Sequence, residues 1–320
     1  MKIKQAIITG FLGKLKDRFC DYHEARTPEE KIAAVAAVKG AAGIEIVYPY
    51  ECEDLPAVKR ALKKYKLGVA AVNVNIKADP DFGRGSASVN SRKLRDKAVR
   101  FICEGLDAAA ELGADKVTCC PLSDGYDYLF EADYQQAWKN MAGTFKEAAR
   151  HRRDIRLSLE YKASETRVNC YLDTAAKTLC LIRDIEEPNL GVTIDVGHAL
   201  YAGETVAESV CLAQFQGVPY YIHINDNNRK WDWDLIPATR NPWDYLELFV
   251  YLKKFNYQGW VTSDMSPMRL DPLKAFERTI ATTEKFASMA NRLNSRKLFA
   301  LMKMEKTLEI QEWMEEQLLV

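Results

Sequence analysis

The sequence predicts an α/β protein with the (β/α)8 architecture of a TIM barrel and an extra C-terminal helix. Eight short apolar runs alternate with eight amphipathic helix patterns along 320 residues. Two runs, 155–162 and 190–198, flank a helix pattern at 174–185, which is the strand–helix–strand unit of a parallel sheet. No linker interrupts the alternation, so we expect a barrel domain over residues 1–291 and a helical tail over 292–320.

The remaining elements follow the same rhythm. The other predicted strands are 5–10, 43–49, 67–76, 115–122, 219–226 and 259–264. The other predicted helices are 28–39, 55–66, 93–112, 134–151, 204–216, 242–255 and 272–290. Thr27 has the position of an N-cap before the first helix, and Gly113 closes the third.

Composition narrows the class of partner. Lys and Arg together number 45, as do Asp and Glu, and no basic patch indicates nucleic acid. The eight cysteines form no CxxC pair and several lie in apolar runs, which predicts free buried thiols in a cytoplasmic protein without a signal peptide. No apolar run approaches the roughly 20 residues that span a membrane.

Four successive predicted strands end in a side chain that can bind a metal ion. We call them the strand-end group: Glu160, Asp195, His223 and Asp264. Because neighbouring barrel strands open on one face, these side chains can converge there. Each one alone fits a helix cap or a surface charge, whereas four in succession favour a site for Mn²⁺, Mg²⁺ or Co²⁺.

A second set of ligands lies beside the first. We call it the loop group: His198, Asp232 and Asp234. In an extended segment both aspartates point to one side and the alternating tryptophans, including Trp231, to the other. The loop group can hold a second cation, and Trp231 can wall a substrate site or form a subunit contact. A solvated loop with a capping aspartate is the alternative.

Two further residues are candidates for substrate contact. Lys162 lies two residues after Glu160 and faces the same way, so it can stabilise a developing oxyanion. A surface ion pair with Glu165 is the alternative. His23, in the first loop, can bind substrate or lie on the surface.

These residues resemble the xylose isomerase-like TIM-barrel superfamily of sugar isomerases and epimerases, and within it the L-rhamnose isomerase group. The matching stretches are Leu159-Glu160-Tyr161-Lys162, Asp195-Val196-Gly197-His198, His223-Ile224-Asn225-Asp226, Asp232 with Asp234, and Asp264. They cover the second half of the barrel, whereas the first half matches only in its strand–helix rhythm.

The resemblance implies interconversion of an aldose and a ketose by hydrogen transfer between C1 and C2. It implies a divalent metal at the strand-end group, with Mn²⁺ the first choice and Mg²⁺, Co²⁺ or Zn²⁺ as alternatives. It implies a second metal near the loop group. The catalytic candidates are Glu160, Lys162, His198 and Asp264, and the substrate-contacting candidates are His23, Lys162, His198 and Trp231.

The main alternative is a ketose 3-epimerase of the same superfamily. Such enzymes resemble this chain on strands five to seven, but they use one metal and a glutamate on strand eight, where this chain has Asp264. They also leave the Asp232–Asp234 pair and Lys162 without a role. A barrel subunit of a C-glycoside-cleaving lyase and a non-catalytic sugar-binding barrel are further alternatives. We therefore expect a sugar isomerase that acts on a small-molecule substrate as a homo-oligomer, a dimer or tetramer, without nucleic acid or membrane partners.

Overall fold

A closed parallel barrel of eight strands forms the centre of the molecule, as the sequence predicts. The structure is a computed structural model and describes residues 2–318. The barrel strands are β1 Lys4–Ile8, β2 Gly43–Tyr48, β3 Gly68–Val74, β4 Lys116–Cys119, β5 Arg156–Glu160, β6 Leu190–Asp195, β7 Tyr220–Ile224 and β8 Trp260–Ser263. They follow chain order, and Ala6 of β1 closes the ring by pairing with Gly43 on one side and Thr262 on the other.

Helices surround the barrel. They are α1 Pro28–Ala37, α2 Leu55–Tyr65, α3 Arg92–Leu112, α4 Tyr134–His151, α5 Ala175–Ile185, α6 Val196–Tyr201, α7 Val206–Phe215, α8 Pro242–Lys254, α9 Pro272–Arg292, α10 Ser295–Lys303 and α11 Thr307–Leu318. Thr27 caps α1 as predicted, because its hydroxyl accepts from the Glu30 N–H while the Glu30 carboxylate accepts from the Thr27 N–H. Gly113 ends α3 in the left-handed conformation, at φ +75°.

The end of β6 differs from the prediction. The sequence predicts an extended run to His198, but the strand ends at Asp195 and the chain turns directly into α6. The Asp195 carboxylate caps this helix by accepting from the His198 N–H at 2.8 Å. The prediction of an extended strand as far as His198 is wrong because the capping aspartate ends the strand. A helical turn then brings His198 back beside Asp195.

The C-terminal tail packs on the barrel's own helices. The rings of Tyr251 on α8 and Phe299 on α10 lie 5.5 Å apart, and Leu298 and Trp313 are buried. Lys253 of α8 donates to main-chain carbonyls at the end of α9, where the tail begins. Within residues 2–318, no helix combines the length and apolar character that a bilayer crossing requires.

All eight cysteines are free, as predicted, but they are not all buried. Four of them are buried in the structure: Cys52, Cys119, Cys120 and Cys170. Cys20 is exposed on the loop after β1, so the expectation of uniformly buried thiols is wrong for that position. Thiols on loops and helix surfaces lie outside the barrel interior even where the neighbouring sequence is apolar.

Candidate metal centre

The strand-end group converges at one end of the barrel. The candidate ligand atoms of its four residues all lie within 4.8 Å of one another. His223 Nδ1 lies 3.4 Å from Glu160 Oε1 and 3.1 Å from Asp264 Oδ2. Parallel pairing places Asp195 directly opposite His223, so the sheet register itself brings the side chains together.

The loop group lies against the strand-end group. His198 Nε2 is 3.2 Å from Asp232 Oδ2, and His198 Nδ1 is 3.4 Å from Glu160 Oε1. Candidate ligand atoms of Asp195, His198 and Asp232 also fall within 4.8 Å of one another. Asp234 lines the same cavity, but its φ of +47° shows that the segment is not extended as predicted. The two groups therefore form one continuous cluster.

A polar framework holds the loop that carries Asp232. The Asp226 carboxylate accepts from the main-chain N–H groups of Arg240 and Asn241, at 2.7 and 3.2 Å. The main chains of Asp226 and Leu235 exchange two hydrogen bonds. These contacts fold the segment after β7 back over the barrel, which explains why loop residues reach a site formed by strands.

Asn225 and Gly197 fit closely together beneath the cluster. Asn225 Nδ2 donates to Asp195 Oδ2 at 3.0 Å and so helps to orient that carboxylate. A Cβ atom at position 197 would lie 1.9 Å from Asn225 Oδ1. Glycine is therefore required at this position for the amide to come so close.

Glu45 is a residue of the candidate site that the sequence analysis missed. It lies in the middle of β2 and is fully buried, with Oε2 accepting from His223 Nε2 at 3.0 Å. Burial raises the pKa of Glu45, but the neighbouring His223 outweighs burial and lowers it. A carboxylate accepts only, so Nε2 of His223 carries the proton in this bond and Nδ1 is free to face the cluster. A charged residue inside an apolar strand was the available signal.

The acids and bases of the cluster shift one another's pKa values. Burial raises the pKa of the Glu160 carboxyl, but His223 and His198 outweigh it and lower that pKa to about 2. Burial also raises the pKa of Asp195, to about 7, against the opposing effect of His198. Burial lowers the pKa of His198, whereas Asp195 and Asp232 raise it to about 9. Carboxylates outnumber cationic groups here, so the site favours an added cation.

Lys162 joins the cluster to a neighbouring loop. Its Nζ lies 2.5 Å from Glu165 Oε1 and 3.0 Å from Asp232 Oδ2. The ion pair with Glu165 therefore exists, but the lysine is buried rather than on the surface. Burial lowers the pKa of Lys162, and the carboxylates of Asp232 and Glu165 outweigh this and raise it. Lys162 is thus a fixed ammonium beside the cluster.

A cavity of about 350 Å³ opens above these residues. Six candidates line it, namely Glu160, Lys162, His198, Asp232, Asp234 and Asp264, together with the unpredicted Asn73, Asn75, Lys77 and Cys120. Asp195 and His223 lie outside its lining, and so do two of the substrate-contacting candidates. His23 Nε2 contacts the Pro267 carbonyl at 3.0 Å, and Trp231 packs on Tyr201 with ring centroids 5.7 Å apart. A substrate role for His23 and Trp231 stays a prediction.

Several buried polar atoms of the cluster fit a divalent ion. Glu160 Oε1, His198 Nδ1 and His223 Nδ1 are buried and make no hydrogen bond to any residue of the part of the chain that is described. A buried polar atom without a partner costs free energy, and these three face one another. Carboxylate and imidazole donors suit Mn²⁺, Mg²⁺, Co²⁺ or Zn²⁺. The Cys120 sulfur lies within 4.8 Å of ligand atoms of Glu160 and His198, but burial raises the pKa of this thiol well above its usual value, so it stays protonated. The residues therefore fit such an ion.

The chain belongs to the xylose isomerase-like TIM-barrel family, which it matches over residues 32–286. Among solved structures, it resembles an L-ribulose 3-epimerase with a TM-score of 0.72 and 18% identity, covering 91% of this chain and 96% of that one. It resembles a D-tagatose 3-epimerase-like protein with a TM-score of 0.69 and 21% identity, covering 90% and 98%.

A third solved structure is the 3-keto-D-glucoside 4-epimerase of E. coli in its apo form. The TM-score is 0.68 at 18% identity, and the match covers 89% of this chain and all of that one. At such identities these likenesses show the fold. The expected superfamily is confirmed by the family match.

Proposed function

We propose that this protein is a divalent-metal-dependent sugar enzyme of the isomerase class, which moves a hydrogen at a carbon next to the sugar carbonyl. The observation that carries this proposal is the strand-end group, whose unpartnered atoms meet beneath a cavity of about 350 Å³. A cavity of this size suits one sugar ring. Mn²⁺ is the first metal to test.

The residues of the chain have separate roles in this proposal. The strand-end group would hold the ion, which when bound supplies Lewis acidity that polarises the carbonyl and acidifies the adjacent C–H. Glu160 and Asp264 flank His223 Nδ1, and both line the cavity, so either can accept or return a proton at substrate carbon. Lys162 donates a hydrogen bond to the oxygen that gains charge.

Epimerisation at C3 of a ketose is the first candidate reaction. Solved structures that resemble this chain are described as 3-epimerases, and this supports the alternative reaction over the C1–C2 isomerase that the sequence analysis favoured. In this reaction one carboxylate removes the C3 proton and the other returns a proton to the opposite face. Glu160 and Asp264 are the pair available for these two steps.

Interconversion of an aldose and a ketose is the second candidate, and the loop group favours it. Asp232 lies 3.2 Å from His198 Nε2 and 3.0 Å from Lys162 Nζ, which makes a second acidic site directly beside the first. One-metal epimerisation gives this pair no role. His198 and Asp232 would hold a second cation there, which would supply further Lewis acidity at the substrate oxygens.

One experiment separates the two reactions. The Mn²⁺-loaded protein is incubated with a panel of ketoses and aldoses in deuterated water, and the products are read by NMR. Deuterium at C3 of a ketose supports epimerisation, whereas C1–C2 interconversion supports the isomerase. Absence of both product and exchange across the panel contradicts the proposal. The expected dimer or tetramer is checked separately by analytical ultracentrifugation.

A further inference from the structure

A second and larger cavity lies beside the catalytic one. Its volume is about 950 Å³, against about 350 Å³ for the catalytic cavity. Loops after three successive strands, β3, β4 and β5, form its walls, and none of these loops supplies a residue of the strand-end or loop group. The space is therefore additional to the site already described.

The two cavities are adjacent and share part of their lining. Lys77 and Leu122 line both of them. Glu165 lines the large cavity and binds the Lys162 ammonium, which lines the catalytic one. A molecule that fills both would pass the Lys77 side chain, whose Nζ makes no hydrogen bond or ion pair with the residues described.

Paired main chains fix two walls of the large cavity. Gly125–Tyr126 after β4 pairs antiparallel with Val168–Cys170 after β5, which pairs in turn with Ser164–Glu165. We call this three-stranded sheet the rim sheet. Asn169 adds a side-chain bond to the Tyr126 carbonyl at 3.1 Å. The two loops are thus held in one fixed arrangement.

The third wall is tied to the same region through one buried carboxylate. Asp124 accepts from the main-chain N–H groups and hydroxyls of both Ser86 and Ser88, at 2.6 to 3.1 Å. These bonds hold the loop that carries Arg84 against the loop after β4. The cavity is therefore formed by connected walls, as expected of a binding site.

Three consecutive apolar side chains are exposed at the edge of the large cavity. Tyr128, Leu129 and Phe130 are 69%, 77% and 100% exposed. The Glu131 carboxylate holds this turn by accepting from the Asp127 and Tyr128 N–H groups. Three consecutive exposed apolar side chains at the edge of a cavity indicate a surface that binds something.

The lining chemistry indicates what is bound. Arg84 and Arg167 are largely exposed, and their nearest carboxylates lie 3.6 and 3.8 Å away, so both guanidinium groups keep donors free. Aromatic faces stack on the C–H face of a sugar ring or on an aryl ring, while guanidinium groups bond to hydroxyls. This combination fits a second ring better than it fits an apolar or a purely anionic ligand.

We propose that the substrate is a glycoside, whose reacting sugar occupies the catalytic cavity and whose second ring, a sugar or an aryl group, occupies the large one. This inference rests on the proposed function for the identity of the reacting ring. A glycoside has an acetal at C1 and no free carbonyl there. Such a ring undergoes hydrogen transfer only next to a ketone elsewhere in the ring, which favours epimerisation over C1–C2 isomerisation.

The test compares methyl and phenyl β-glycosides of glucose, galactose and mannose, each oxidised to the ketone at C3, so that every probe has the ring ketone that hydrogen transfer requires. Their binding to the Mn²⁺-loaded full chain is measured by isothermal titration calorimetry, which needs no turnover. For at least one sugar we expect the phenyl glycoside to bind about tenfold more tightly, as stacking on two aromatic side chains would give. Tyr128→Ala and Phe130→Ala are expected to remove this preference.

Phe215→Ala is the matched control, because Phe215 is 90% exposed at the end of α7, away from the cavity. It is expected to keep the phenyl preference. Equal affinities of the methyl and phenyl glycosides for all three sugars overturn the inference. A preference for the phenyl glycoside that survives in both Tyr128→Ala and Phe130→Ala also overturns it. The inference is also overturned if Phe130→Ala changes the oligomeric state but not the binding of the phenyl glycoside, because the loop would then be a subunit contact. A phenyl preference without hydrogen exchange refutes only the proposed function.

Discussion

Replacing Glu45 by glutamine tests how the site is oriented. Oε1 of Glu45 accepts from Asn73 and Thr118, both at 2.9 Å, and glutamine retains this acceptor. Oε2, which accepts from His223 Nε2 at 3.0 Å and from the Tyr221 hydroxyl at 2.8 Å, becomes an NH2 group. The NH2 group of the glutamine and the Nε2–H of His223 are then two donors that face each other. His223 must therefore change tautomer and carry its proton on Nδ1, the atom that faces the strand-end group.

The expected loss is a 10- to 100-fold drop in Mn²⁺ affinity, the usual effect of removing a carboxylate that orients a metal-binding histidine. That range corresponds to about 1.4 to 2.7 kcal/mol. The metal-free protein is expected to lose about 1–3 kcal/mol of unfolding free energy, because a buried donor loses its acceptor. The effect on metal binding thus comes in addition to the effect on folding.

Calorimetric titration of the metal-free protein with Mn²⁺ measures this directly, alongside chemical denaturation. Glu51→Gln is the control, since Glu51 is also buried but binds Thr9, Lys31 and the Val47 N–H instead of His223. It should lower stability and leave Mn²⁺ affinity unchanged. Equal Mn²⁺ affinity in wild type and a folded Glu45→Gln protein would refute the orienting role.

Three other perturbations test the same site. Removal of divalent ions with a chelator should lower Tm, and readdition of Mn²⁺ at about 100 times its Kd should restore about 2.7 kcal/mol; an unchanged Tm in calorimetry contradicts a metal centre. Asp232→Asn removes a charge paired with Lys162 and His198, so turnover should fall at least tenfold while denaturation shows little change; unchanged turnover excludes the loop group from the reaction. Gly197→Ala forces Asn225 away, so the unfolding free energy should fall by about 1–3 kcal/mol and the Mn²⁺ affinity should fall with it. Gly143→Ala is the control, because a Cβ atom added there has no neighbour within 4 Å and should not destabilise the protein.

The strand-end group was predictable because position in the chain determines position in the barrel. An acid or imidazole after an apolar run lies at a strand end, and parallel strands place their ends on one face. His198 was also predicted beside Asp195, but for the wrong reason. Capping by a single aspartate turned the chain into a helix of six residues, which is too short to leave a periodic pattern.

Glu45 and the large cavity were not predictable in the same way. The partners of Glu45 come from β3, β4 and β7, so no spacing along the sequence relates them. The cavity depends on three loops whose polar, aromatic and aliphatic residues show no repeating pattern. The loop with Asp234 was also mispredicted from sequence. Its alternating tryptophans and aspartates indicate an extended conformation, but Asp234 has a left-handed conformation in the structure.

The rim sheet has a consequence for engineering. It joins the loops after β4 and β5, and its Ser164–Glu165 strand contains the carboxylate that holds Lys162. Grafting either loop alone from a relative would break the ladder and displace that ammonium. Specificity should therefore be transferable only when both segments are transplanted as one block.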